Sequence, residues 1–230
     1  MAIAYVAGAF AFADDNATTS AIDTSGANCI IIFISRNNSS GTVSDSKGNT
    51  WTELSTFSAG AGLPFVTAYY AINPTVGSGH TFTVSTATQF PNITAEAYSG
   101  VDDYTSQETG TNTSASATSG QPGSITPAAD GTLLYSGIAW GASPGTPTVN
   151  SGFVIGNGSA GYLIQSTAAA VNPTWSWDNS VEYVINMIAF SAATAGGQIS
   201  DISAVAVADI AEVNGVSAAS IAEVNGLTLA

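Results

Sequence analysis

Positive charge is nearly absent from this chain: among 230 residues only Arg36 and Lys47 are cationic, facing 16 carboxylates, for a formal charge of -14. A phosphate backbone is held by Lys and Arg that displace its counterions, so the sequence predicts no nucleic-acid partner, and an anionic membrane surface is excluded on the same ground. Charge of either sign is scarce, at 8% of residues against roughly a quarter in ordinary soluble domains. The exterior must then be built of Ser, Thr, Asn and Gly, which suits a protein packed in an assembly or exposed outside a cell. A single cysteine, Cys29, excludes an intrachain disulfide framework. Its place at the head of "CIIIFI" reads as a buried, inert thiol. A single histidine, His80, excludes a His cluster for zinc and leaves one base for any nucleophile. It opens "HTFTVST" after a Gly-rich turn, a surface or strand-edge position. No apolar run reaches the roughly 18 to 20 residues of a membrane-spanning helix. The opening "MAIAYVAGAFAFADDN" has no Lys or Arg before its apolar stretch, so it reads as a first strand rather than a secretory signal. The expectation is a soluble, unprocessed chain made in a cytoplasm.

What is present, over the first 190 residues, is alternation. "AIAYVAGAFAF", "CIIIFIS", "PFVTAYYAI", "HTFTVST", "NITAEAYSG", "TLLYSGIAW", "AGYLIQST" and "VEYVINMIAF" are rich in β-branched and aromatic residues. Turn-forming stretches such as "SKGN", "NPTVGSG" and "GASPGTP" separate them. The sequence predicts an all-β fold: a two-sheet antiparallel β-sandwich, jelly-roll or immunoglobulin-like, followed by a short repeat tail. "CIIIFI", apolar on both faces, should be a central strand, whereas "HTFTVST" should have one wet face. Thr109 to Ser124 holds no apolar residue larger than Ala and reads as a long exposed loop. Asp45 to Asn49, "DSKGN", reads as a hairpin turn that leaves Trp51 pointing into the core.

Catalytic chemistry is sparse. "GASPG", Gly141 to Gly145, has the form of a nucleophile elbow, but a helix must follow an elbow and Pro144 and Pro147 forbid one. Ser143 therefore reads as a turn residue. Glu96 and Glu182 sit in predicted strands, where a carboxylate pair at a suitable separation would serve a glycosidase. That accidental pairing is the whole of the enzyme case, so the expectation is no enzyme, no catalytic residue and no cofactor. Loop carboxylates at Asp14, Asp45 and Asp102 are of the type that binds calcium, but none has EF-hand spacing. "PTWSWDN" places Trp175 and Trp177 on one face of a strand beside Asp178, the candidate glycan contacts of this chain, with the Thr109 to Ser124 loop alongside. The competing expectation for a Trp pair at period 2 is a place in the core.

After Phe190 the composition changes. From Ile199 the chain falls into three units of eleven, "ISDISAVAVAD", "IAEVNGVSAAS" and "IAEVNGLTLA", the last one residue short. An eleven-residue repeat would supercoil as a right-handed helix. The pairs Asn214-Gly215 and Asn225-Gly226 favour tight turns between short extended arcs instead. Either form exposes apolar residues that thirty residues cannot bury alone. The predicted oligomer or anchoring contacts are Ile199, Ile202, Val205, Ile210, Val213, Val216, Ile221, Val224 and Leu227, with the turns at Asn214, Gly215, Asn225 and Gly226. At about 1.5 kcal/mol or more per buried side chain, nine such residues would offset the cost of ordering the tail. The alternative is that the tail docks on its own sandwich as edge strands. The predicted organisation is a sandwich over 1–194, a linker over 195–198 and an assembly segment over 199–230.

"VSDSKGNTWTEL", "AYYAINPTVGSGHTFTVS" and "AEAYSGVDD" resemble segments of a loose group of β-sandwich proteins among bacteriophage structural proteins and bacterial surface proteins. "IAEVNGVSAASIAEVNGL" resembles the Ile-x-x-Val-Asn-Gly repeats of phage tail, fibre and capsid-associated proteins. The first unit departs from that pattern, with "SAVAVAD" in place of the Asn-Gly turn. The resemblance implies a virion structural protein, a capsid decoration or head-fibre subunit. In such proteins the repeats lie at oligomer contacts or attachment points, so the expected partners are further copies of this chain, with a trimer as the first expectation, and the major capsid or another virion protein. The alternative is a carbohydrate-binding module, on a phage tail or an extracellular surface, that touches host glycans.

Overall fold

The computed structural model describes residues 1–37, 41–60, 62–85 and 90–193, together with 212–213, 216–217, 223–224 and 227–228. The chain divides into two compact units, Met1–Ala193 and Thr194–Ala230. Among the described residues there is no helix, and none is long and apolar enough to cross a membrane.

The first unit is an antiparallel sandwich that does not close into a barrel. Its first sheet runs β1 (Ala4–Phe12), β8 (Asn92–Ser99), β3 (Cys29–Asn37), β6 (Pro64–Ile72) and β5 (Thr52–Ser58) in that spatial order. Its second runs β11 (Thr148–Val149), β14 (Trp175–Ala192), β10 (Thr132–Trp140), β13 (Ala160–Gln165) and β12 (Val154–Ile155), with β9 (Val101–Gly120) on the other side of β14. All eight alternating segments of the sequence lie in these strands or in the third sheet described below. β3 is central as expected, paired with β8 on one side and β6 on the other. Cys29, Ile31 and Phe33 point between the two sheets, packing with Leu133, Tyr135, Ile188 and Phe190. Phe33 fits because β10 carries Gly137 beneath its ring, where any Cβ would collide with it.

Ile30, Ile32 and Ile34 point the other way and are equally buried. They are covered by a third, three-stranded sheet, β2 (Ala17–Thr18), β7 (Phe82–Ser85) and β4 (Thr42–Asp45), through Ala17, Phe82 and Val84. This layer is an addition to the two sheets expected, and it is the reason that "CIIIFI" must be apolar on both faces. β7 alternates as its sequence requires, with Phe82 and Val84 buried and Ser85 exposed.

Two expectations are corrected. Asp45 to Asn49 is not a hairpin turn, because β4 pairs with β7 while β5 pairs with β6, so the segment is a corner between sheets. Thr109 to Ser124 is not a loop up to Gly120, because β9 runs alongside β14 from Tyr104↔Phe190 to Gly120↔Trp175, with several register shifts. Its glycines have a packing purpose: Gly110 lies under the ring of Phe57, and Gly120 under that of Tyr183.

Candidate functional site

The interior holds two polar clusters that few globular cores would tolerate unless satisfied. In the first, Glu96 points from β8 into the space between the main sheets and is 0% exposed. The Tyr98 hydroxyl donates to its Oε2 at 2.6 Å, and the Asn157 amide donates to its Oε1 at 3.4 Å and to the Tyr5 hydroxyl at 3.2 Å. Tyr5 and Tyr162 stack face to face, with centroids 5.4 Å apart, and Tyr98 meets both edge-on. Gly8 and Gly156 leave the room the carboxyl occupies, since a Cβ at either would run into the Glu96 side chain or its partners. Burial, only partly opposed by these hydrogen bonds, pushes the Glu96 carboxyl up to about 7. The same burial, with Glu96 close by, raises the Tyr98 and Tyr135 hydroxyls well above their ordinary value. Glu182 engages a different neighbourhood, half-buried beside Gly141. Sealed at zero exposure, Glu96 cannot meet a substrate as the acid of a carboxylate pair.

In the second cluster, His80 is buried, which corrects the surface position read from the sequence, and it forms the bridge Ile22↔His80 just before β7, in keeping with the strand-edge alternative. Its Nε2 lies 3.1 Å from Asp45 Oδ1 and its Nδ1 3.0 Å from Thr24 Oγ1. The carboxylate can only accept, so Nε2 carries the proton, and Nδ1 of the neutral ring accepts from the Thr24 hydroxyl. Burial holds the imidazole below its usual value despite Asp45. Asp45 also accepts from the Lys47 amide at 2.7 Å and from the Trp51 indole at 3.0 Å. Trp51 is half-buried against the core cluster shared by the first and third sheets, consistent with the expected inward direction. The Thr–His–Asp order resembles a hydrolytic triad, but Thr24 and His80 are both 0% exposed, and the hydroxyl oxygen also accepts from the Gly77 amide at 3.0 Å. What the arrangement does is clamp three chain segments at the sheet corner. His80→Ala is expected to lower stability by about 2 kcal/mol or more, because it empties a packed site and strips Thr24 and Asp45 of a partner. Urea titration at pH 7.5 checks this.

The glycan face predicted at "PTWSWDN" is overturned. Trp175 is 0% and Trp177 5% exposed. The Trp175 indole donates to Ser136 Oγ at 3.0 Å, and the Trp177 indole donates to the Ala117 carbonyl at 2.8 Å while packing on Trp140 and Tyr183. Period-2 spacing put both rings on the covered side of β14, where neither can stack on a sugar. Asp178 is exposed and accepts from the Thr146 amide at 2.7 Å, pinning the turn after Pro144. Ser143 sits in that same irregular segment, with no helix after it. Cys29 is fully buried, and burial raises its thiol far above the ordinary range. Among the described residues no group of three or more His, Cys, Asp or Glu is placed to hold a metal ion.

An open site lies elsewhere. Where the two main sheets part at one end, a cleft of about 360 Å³ is lined by Phe12 at the end of β1, Ser35 on β3, Phe90 and Asn92 at the start of β8, and Ala139 to Pro144 after β10. Phe12 and Phe90 are each 56% exposed, and Phe10 of the same strand is 40% exposed. The Phe12 and Phe90 rings are nearly parallel, 14° apart in plane, with centroids at 6.4 Å. Phe90 has φ 51°, a left-handed conformation that bulky residues avoid, and its amide is fastened to the Asp14 carbonyl at 3.0 Å. Nothing in the one-dimensional pattern brings these segments together, so sequence reasoning missed the cleft. Phe10 and Phe12, spaced by Ala in the second half of β1, were the available signal.

The second unit contains four described strands: β15 (Glu212–Val213), β16 (Val216–Ser217), β17 (Glu223–Val224) and β18 (Leu227–Thr228). β15 pairs with β16 through Val213↔Val216, and β17 with β18 through Val224↔Leu227, each as a two-stranded sheet of its own. The two hairpins repeat the same register eleven residues apart, with Asn-Gly between the paired strands in sequence, as expected of extended arcs. Ile199, Ile202, Val205, Ile210, Asn214, Gly215, Ile221, Asn225 and Gly226, and the linker 195–198, lie outside the described residues.

Among the described residues the fold is an antiparallel β-sandwich with sealed polar clusters around Glu96 and His80 and an open aromatic cleft. Comparison with protein-family models, with curated proteins and with solved structures returns no match.

Proposed function

We propose that this protein is a non-enzymatic virion structural subunit, a capsid decoration or head-fibre protein, that oligomerises or anchors through its C-terminal repeats. The observation that carries this reading is the pair of minimal hairpins, β15–β16 and β17–β18, each two residues by two strands. A lone two-stranded hairpin is at best marginally stable in water, and these two present Val213, Val216, Val224 and Leu227 in the ladder. Such a hairpin is stabilised by further pairing, and a second copy of the same repeat supplies it at matching spacing. The resemblance of the repeat to those of phage tail, fibre and capsid-associated proteins supports the virion setting. So does a surface poor in charge, which suits dense packing.

The test is the solution mass by light scattering of the full chain beside a chain ending at Gly196. The full chain is expected to be a trimer and the shortened one a folded monomer with an unchanged β-type circular dichroism spectrum. Equal monomeric masses would remove self-association through the tail, and failure of the full chain to co-sediment with capsids would then remove anchoring as well.

A further inference from the structure

We propose that the cleft between Phe12, Phe90 and Trp140 is a binding site for a neutral saccharide of one or two pyranose rings. All of its named lining residues belong to the first unit. Exposed aromatic side chains gathered in one place on a protein surface mark an interaction site more often than chance, and here one of them is held in an unfavourable backbone conformation. Phe90 stands at φ 51° immediately before Pro91, yet its ring is left 56% exposed beside that of Phe12. A strained residue that buries little is not explained by the core.

The chemistry of the walls selects the ligand. Among the described residues that line the cleft none is ionisable, and apolar and neutral polar groups make up that lining. The nearly parallel Phe rings offer π faces to the C–H face of a pyranose. Asn92, half-buried, and Ser143, exposed, place an amide and a hydroxyl at the wall for the ring hydroxyls. A volume of about 360 Å³ is at the lower end for small-molecule sites and suits a short saccharide. A proline-rich peptide also docks on aromatic grooves, but it needs main-chain and indole donors, and Nε1 of Trp140, the indole at this wall, is buried. The main chain of this wall is already engaged: the Gly141 amide donates to the Glu182 carbonyl, the Pro144 carbonyl accepts from the amides of Asp178 and Asn179, and the Ser143 carbonyl accepts from the Asn179 side chain. Side-chain hydroxyl and amide groups remain, and they match a hydroxyl-rich ligand.

The experiment is saturation-transfer NMR on the full chain with cellobiose, maltose, lactose and N,N′-diacetylchitobiose, with a polyproline peptide as comparison. Transfer is expected to at least one disaccharide, strongest at the C–H protons of one ring face. Binding should weaken roughly tenfold in Phe12→Ala and in Phe90→Asn. Both positions are more than half exposed, and Asn tolerates the left-handed backbone, so both variants should keep the parent spectrum by circular dichroism. Absence of transfer to all four sugars overturns the proposal. So does transfer that persists unchanged in both variants, and so does Phe-dependent transfer to the peptide alone.

Discussion

Glu96→Gln is expected to stabilise the folded chain above pH 7 and to flatten its dependence on pH. The carboxyl is fully buried among Tyr5, Tyr98, Tyr135, Tyr162 and Asn157, and no cation of the described residues acts on it. Its folded-state value, about 7, stands above the ordinary 4.5. Below pH 4.5 the folded and unfolded chains both hold this proton and the group costs nothing. Between 4.5 and 7 the unfolded chain releases the proton while the folded chain keeps it, so stability falls as pH rises. The loss levels off above pH 7 at on the order of 3 kcal/mol. Glutamine is neutral throughout and should recover most of that at pH 8.

His80 works in the opposite sense. Burial holds its folded value below the ordinary 6.5, so its contribution is complete above 6.5 and is lost as pH falls through the folded value. In Glu96→Gln, the slope that remains between pH 7 and pH 5 should therefore be a loss of stability on acidification. Urea unfolding of the two proteins at pH 5 and pH 8 measures both effects. Parallel curves would show that the carboxyl is not sealed.

Trp175→Ala is expected to cost about 3 to 5 kcal/mol, the range for emptying a large aromatic site in a core, and to abolish cooperative unfolding if the parent is only marginally more stable than that. The ring is the largest fully buried side chain in the described structure. It packs with Ile138, Trp177, Val181 and Ile185 on the outer face of the second main sheet and against the backbone side of Gly161. Its indole bond to Ser136 would be lost as well. A thermal melt followed in the near ultraviolet reads the outcome. A variant that melts with the parent would return Trp175 to the surface and reopen the face first read from "PTWSWDN".

These two residues also mark where the sequence is legible and where it is not. Strands β3, β6, β10 and β14 announce themselves because each buries a face and must be written in Ile, Val, Leu and aromatics. β9 could not be read in this way. The described side chains between Thr109 and Gly120 are small, mostly polar and at most half-buried, so the backbone ladder to β14 holds the strand and leaves no apolar signature. Glu96 and Tyr98 share one face of β8 and are adjacent on the page, but Asn157 arrives from sixty-one positions away. His80 was misplaced for the same reason: a lone polar residue reads as exposed until its distant partners, Thr24 and Asp45, are known. The Trp pair shows the remaining ambiguity, because alternation tells which residues share a face but not which face is covered. The cleft draws on four separate segments, and pattern within any one of them cannot reveal it.

The sandwich also meets itself end to end. The Met1 amino group donates to the Ala193 carbonyl at 2.7 Å, and the Ala193 amide donates to the Gly100 carbonyl at 2.8 Å. The first and last residues of this unit are thus side by side, and a short Gly/Ser bridge could join them while new termini are opened at an exposed turn such as Gly26 or Gly152. A circularly permuted sandwich of this kind would keep every strand pairing, and it would let cargo or a second domain be carried at a chosen rim of the molecule instead of at the root of the tail.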